Sequence, residues 1–215
     1  MKQNIKIAVI GGTGKSGRYL VQQLINRKIH FKLFVRNPDR VPAGSPFMEV
    51  VHGDVADLDS VRLLIQGCGA VISLLGMGVP NNSAPDIFSQ STTHILQAMR
   101  MHHLTRYIVI TGLNVDTPFD KKSAKVQQGT DWMKANYPTS SADKQKEYAL
   151  LVASDIDWTL VRLPLIEQTD ERRKVNVSTE DCAGDKISAT DLACFLIDQI
   201  EDKSYSGKAP FISNG

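Results

Sequence analysis

Ile5-Lys6-Ile7-Ala8-Val9-Ile10-Gly11-Gly12-Thr13-Gly14-Lys15-Ser16-Gly17 is the stretch that decides the fold. Its first six residues are rich in isoleucine and almost wholly apolar, the pattern of a strand buried on both faces of a parallel sheet. Glycines end the strand at once. From Lys15 to Asn26 the apolar residues Tyr19, Leu20 and Leu24 recur at helical spacing, and Phe31 to Val35 reads as a second strand. The three pieces make a strand-helix-strand unit with a glycine loop at its first turn. Glycines at 11, 14 and 17 permit a sharp turn, close approach of backbone to a pyrophosphate and tight packing of the helix on the sheet. The N-terminus of that helix then offers unpaired N–H groups and partial positive charge to an anion. Gly11, Thr13, Gly14, Lys15, Ser16 and Gly17 are therefore candidate dinucleotide-binding residues. A nucleoside-triphosphate loop is rejected on spacing, because it needs a glycine five residues before Gly14 and Val9 stands there.

Outward from this unit the alternation continues. Met48 to His52 reads as strand, Ser60 to Gln66 as helix, Ala70 to Leu75 as strand, Ile87 to His102 as helix and Tyr107 to Thr111 as strand. Such repetition specifies an α/β fold with a doubly wound parallel sheet. The pattern breaks over about residues 112–140, a candidate substrate loop. It resumes with a helix at Ala142 to Ala153 and a strand at Trp158 to Arg162. A short strand at Lys174 to Val177, a helix from Thr190 to Ile200 and a last strand near Ala209 to Ile212 follow. The whole chain, 1–215, is expected to form one domain, with small cap elements at about 164–188 over the carboxyl ends of the strands.

The second strand ends Phe34-Val35-Arg36-Asn37-Pro38. An acidic residue at this point would accept hydrogen bonds from an adenosine ribose. Arg36 instead offers two parallel N–H donors suited to a 2′-phosphate, so NADP(H) is favoured over NAD(H). Arg40 and Lys15 are either second cations at that site or solvated surface charges. Asp54 either accepts from an adenine amino group, with Val55 on the ring, or caps the following turn. Leu74-Leu75-Gly76-Met77-Gly78, at the end of the fourth strand, offers little side-chain bulk, and Leu75 and Gly76 are expected beside the cofactor.

Composition excludes several classes. The 215 residues carry 25 Lys and Arg against 23 Asp and Glu, a formal net charge of +2, so no basic field marks nucleic acid as a partner. The longest uncharged apolar stretch, Ala70 to Val79, is far shorter than the roughly 20 residues of a membrane span. No secretory pattern follows Met1-Lys2-Gln3-Asn4, and a cytoplasmic protein is expected. Cys68, Cys182 and Cys194 are widely spaced, which suits buried thiols better than disulfides or zinc. His94, His102 and His103 lack metal-ligand spacing, and no metal is expected.

These motifs together resemble the atypical short-chain dehydrogenase/reductase group with an NmrA-like or NAD(P)H-binding Rossmann domain, including the biliverdin reductase B/flavin reductase branch. The marks are the glycine loop, Val35-Arg36-Asn37-Pro38, Gly53-Asp54-Val55, Thr111-Gly112, the segment Ser154 to Pro164, and Ile187 to Ala193. The resemblance implies a Rossmann fold, NAD(P)H binding and hydride transfer to a small oxidised acceptor, although some relatives sense NADP(H) or contact partner proteins. It places Pro164 and Leu165 against the nicotinamide. It also puts the group's catalytic lysine at Lys144, where Ser140 stands in place of the tyrosine expected four residues earlier. Tyr148 shares the helix face of Lys144. Thr111 takes the place of the group's serine, where its hydroxyl either binds a carbonyl or carboxamide or is satisfied by backbone. Lys144 either bonds the nicotinamide ribose or is an ordinary helix lysine. With no tyrosine acid, the expected reaction is NADPH-dependent reduction of a conjugated small-molecule hydride acceptor such as a flavin, quinone or linear tetrapyrrole. A non-catalytic NADP(H) sensor is the alternative. The protein is expected to be a monomer or homodimer.

Overall fold

Strand β1 (Ile7–Ile10) is buried along its whole length and pairs in parallel with a strand on each side. Two packed faces explain why its sequence is continuously apolar. The computed structural model describes residues 5–41, 43–76 and 84–215; Met77 and Gly78 of the expected cofactor wall lie outside them. Helix α1 (Gly17–Asn26) follows the glycine loop and buries Leu20, Val21 and Leu24, one turn apart along its inner face. Next come β2 (Phe31–Val35), β3 (Met48–His52), α2 (Leu58–Ile65), β4 (Ala70–Ser73), α3 (Ile87–Met101) and β5 (Arg106–Gly112). Asp57 caps α2 by accepting from the backbone N–H groups of Asp59 and Ser60.

The segment expected to be irregular contains a helix, α4 (Ala124–Asn136), and α5 (Pro138–Val152) begins earlier than its periodicity suggests. Pro138 occupies the first turn of α5, where its missing N–H would be unpaired in any case. Beyond lie β6 (Asp157–Leu163), β7 (Leu165–Glu167), β8 (Val175–Ser178), β9 (Lys186–Ser188), α6 (Ala189–Asp198) and β10 (Phe211–Asn214).

Eight strands form one sheet in the order β3-β2-β1-β4-β5-β6-β10-β8. All pairings are parallel except β10 with β8. Of the elements expected in the cap, β8 thus joins the main sheet through β10, and the cap-like remainder is the small parallel pair β7–β9. Helices α2, α3 and α5 cover one face, with Ala8, Val71, Tyr107, Val109 and Leu160 beneath them. On the other face α1 and α6 cover Val9, Leu33, Ile72, Ile108 and Val161. This is the doubly wound α/β sheet of a Rossmann fold. Its strand order reverses between β1 and β4, and ligands bind such sheets in the crevice at that point.

Candidate functional site

The crevice at the β1–β4 divide begins with Gly11, whose φ is +78°. A side chain there would be strained, and its first carbon would lie 2.6 Å from the Leu74 carbonyl oxygen. The loop closes when the Gly14 N–H donates to the Gly11 oxygen at 3.0 Å. Gly17 opens α1 so close to the loop that an added carbon would sit 2.1 Å from the same oxygen. Ser16, at the N-cap, makes no side-chain capping bond, and the first-turn N–H groups of Arg18 and Tyr19 donate to the carbonyls of Gly14 and Ser16 at 3.2 and 3.1 Å. The result is a tight glycine cradle, the kind of turn whose backbone a pyrophosphate can approach closely.

Arg36 projects from the end of β2 and is exposed. Neither it nor Lys15 nor Arg40 makes a side-chain hydrogen bond or ion pair with another described residue. A cleft of about 540 Å³ opens beside α1, lined by Gly12, Thr13, Arg18, Arg40 and Ser45 among others. Arg40 thus shares a cleft with the glycine loop, while Arg36 and Lys15 do not line it. Asp54 accepts from the Ala56 N–H at 2.9 Å, the turn-capping arrangement, and its second oxygen makes no bond to a described residue. Val55 is buried beside it, and its carbonyl meets Nδ1 of His94 at 2.9 Å.

At the other end of the crevice, Leu75 is half-buried and Gly76 exposed. Thr111, at the end of β5, is buried, and its Oγ1 has no hydrogen-bond partner among the described residues. A buried hydroxyl with nothing to bond is rare and needs a reason. Together with the glycine cradle, it fits a site completed by a bound dinucleotide. Pro164 is half-buried and Leu165 is 73% exposed just after β6.

Lys144 is buried on the inner face of α5. Its Nζ donates to Oε2 of Glu147 at 2.8 Å and to the Ile110 carbonyl at 3.2 Å, and it stands 3.9 Å from the centre of the Phe88 ring. Two of the ammonium's donors are thus engaged within the chain, and the Phe88 ring packs against it. Glu147 is itself buried and also accepts from Thr92 at 2.9 Å. Burial pushes its carboxyl above the usual range, while Lys144 and Thr92 pull the other way. Asp143 is buried beside them, and it caps α3 by accepting from the Phe88 N–H at 2.8 Å. Glu147 and Asp143 escape sequence reasoning because acidic residues on a helix normally face water. The available signal was the three-residue spacing from Lys144 to Glu147.

The two tyrosines near Lys144 are packing residues. Tyr148 stacks edge-on against Trp158 with ring centres 6.0 Å apart, and Tyr137 stands against exposed Trp132 at 5.9 Å. Arg162 is fully buried, where it donates to Asp120 and to the carbonyls of Val115, Thr179 and Ala209 and lies on the Phe211 ring. That network ties the segment leading to α4 onto β6 and β10. The three cysteines are free and buried. Among the described residues no helix is long and apolar enough to cross a membrane, and no cluster of three acidic, histidine or cysteine residues would hold a metal.

A family model described as NAD(P)H-binding matches residues 11–203. Solved structures agree in fold. An oxidoreductase from Lactococcus lactis superposes with a TM-score of 0.80 at 18% identity, covering 98% of this chain and 91% of that one. A short-chain dehydrogenase/reductase from Veillonella parvula in complex with NADP gives 0.79 at 14% identity, covering 98% and 94%. A Rossmann-fold NAD(P)-binding family protein from Shigella flexneri gives 0.71 at 18%, covering 99% and 97%.

Proposed function

Because the chain belongs to the NAD(P)H-binding family, we propose that it is an NADPH-dependent oxidoreductase that passes hydride to a small conjugated acceptor: a flavin, a quinone or a linear tetrapyrrole. The observation that carries this reading is Arg36, exposed at the end of β2 with no partner among the described residues. A free guanidinium there binds a 2′-phosphate bidentately and offers nothing to a ribose diol. Lys15 and Arg40 add charge to the same end, and the structural likeness to the Veillonella protein, which holds NADP, supports the choice.

When bound, the nicotinamide supplies the hydride. The residues of the chain bind and orient. The cradle from Gly11 to Gly17 takes the pyrophosphate, Asp54 and Val55 take the adenine, and Leu75, Gly76, Pro164 and Leu165 line the nicotinamide end. Thr111 donates its unpartnered hydroxyl to the carboxamide or to an acceptor carbonyl. Ser140 stands where the resemblance expects a tyrosine, and Lys144 is buried and paired with Glu147, so an acceptor that takes its proton from solvent suits this site better than an alcohol or sugar. The same absence supports a second reading, an NADP(H) sensor without turnover. Three reduced thiols support a cytoplasmic setting.

The test is a calorimetric titration with NADPH, NADP+ and NADH, followed by an acceptor panel of FMN, quinones and biliverdin. Both phosphorylated forms should bind at least about tenfold tighter than NADH, with NADPH consumed in the presence of at least one acceptor. Arg36→Ala should weaken NADPH by roughly 10- to 150-fold, the equivalent of about 1.5 to 3 kcal/mol, and leave NADH nearly unchanged. Equal losses for both nucleotides would sink the phosphate assignment. Tight binding with no turnover across the panel would favour the sensor.

A further inference from the structure

Beneath the nicotinamide end of the crevice runs a buried polar chain with one carboxylate at its centre. The Leu75 N–H donates to Oγ of Ser73 at 3.4 Å. Ser73 stands next to the Tyr107 hydroxyl, Tyr107 meets Oγ1 of Thr92 at 3.4 Å, and Thr92 donates to Glu147 at 2.9 Å. Since the Thr92 hydrogen goes to Glu147, Tyr107 must donate to Thr92. Both of these hydroxyls therefore point their hydrogens toward Glu147, and Lys144 donates to its other oxygen at 2.8 Å. These donors favour the ionised carboxylate and work against its burial, which pushes the other way. Both ends of the chain reach the crevice wall: one at Leu75, the other where Lys144 bonds the carbonyl of Ile110, the peptide that leads into Thr111.

We propose that Glu147 is the counter-charge that lets this site hold oxidised and reduced cofactor alike, by neutralising the Lys144 ammonium beside the nicotinamide. This rests on the cofactor reading given above. The oxidised ring is cationic and the reduced ring neutral, so an uncompensated ammonium in the wall repels only the first. In a poorly solvated wall that repulsion is much stronger than in water. Glu147 touches neither cofactor nor acceptor; it is a positioning residue that acts through Lys144. The charged or titratable groups facing it are Lys144 and Asp143 on α5 and Tyr107 on β5, while α3 contributes the neutral Thr92.

The experiment measures dissociation constants of NADP+ and NADPH by calorimetry for the intact wild-type protein and its variants between pH 6 and pH 9. In Glu147→Gln, NADP+ should weaken relative to NADPH by about tenfold or more. The double variant Lys144→Met/Glu147→Leu, which removes both charges, should restore the wild-type ratio to within about twofold. Lys144→Met alone leaves a lone carboxyl and should shift the ratio toward NADP+ as the pH rises and the carboxyl ionises, a measurement that decides the matter even where Glu147→Gln fails to fold. An unchanged ratio in the single variants, or parallel losses of both nucleotides, would show a merely structural pair and overturn the proposal. Failure of the wild type to bind either nucleotide would overturn the cofactor reading beneath it.

Discussion

A hydroxyl buried without a partner destabilises the protein that carries it, typically by about 1 to 3 kcal/mol. Thr111 carries that cost at the end of β5. Thr111→Val keeps the shape and removes the polar atom, so the cofactor-free protein should gain about 1 kcal/mol of stability in a urea titration while its affinity for NADPH falls. A loss of stability instead would mean that the hydroxyl has a partner in solution. Arg36 and the glycines were legible from sequence, because a position after a strand limits what a residue can touch. Glu147 and Asp143 were not, since nothing in a single sequence separates an acid on a buried helix face from one on a wet face. Their burial follows from α3 lying across α5 and supplying Thr92 and the N–H groups of Phe88 and Ser89.

Among the α-helices, α4 is the one that sequence periodicity misses; the short strands β7 and β9 are missed as well. Only Val126 and Thr130 are buried along α4, too few to make an apolar stripe. Its place depends on tertiary contacts: Thr130 donates to the Leu113 carbonyl at 2.8 Å, and Lys134 and Lys122 both pair with Asp116. The neighbouring Met133 reaches Gly112 at the end of β5, so α4 borders the crevice. Trp132 is 58% exposed on this helix and is suited to a planar acceptor. Trp132→Ala should then raise the KM for the acceptor several-fold and leave NADPH affinity unchanged; a matching loss of cofactor binding would contradict a platform role. Strands β1, β2 and β4 were readable because packing on both faces leaves them almost wholly apolar, with Lys32 and Ser73 the polar exceptions. The pairing of β8 with β10 was hidden, since both are short and β8 is only half-buried.

For the molecule as a whole, Cys68 and Asp116 are two of the groups that tie stability to pH, one on the alkaline side and one on the acid side. Burial pushes the Cys68 thiol from its ordinary 9.0 up to about 11, because the thiolate is poorly solvated there. Above pH 9 the unfolded chain ionises this thiol and the folded one does not. Stability is therefore fully present below pH 9 and falls as the pH rises toward 11, by roughly 2 to 3 kcal/mol at most. Urea midpoints from pH 7 to pH 11 should decline less steeply in Cys68→Ala than in the wild type, and parallel curves would refute the assignment. At the acid edge, burial raises the Asp116 carboxyl but hydrogen bonds from Lys122 and Lys134 outweigh it and hold it below the usual range. Its contribution is present above about pH 4 and is lost as the pH falls further.

The strand order also constrains how the chain can be assembled on a ribosome. Strand β8 has only β10 as a sheet neighbour, and β10 is made after it. The parallel core from β1 to β6 can close in order of synthesis, but β8 must wait, with the free edge of β6 exposed until β10 inserts between them. Such late, long-range closure slows folding and leaves an unpaired edge open to other chains. A nascent chain stalled before Phe211 should therefore be the stage most readily captured by chaperones or lost to proteases.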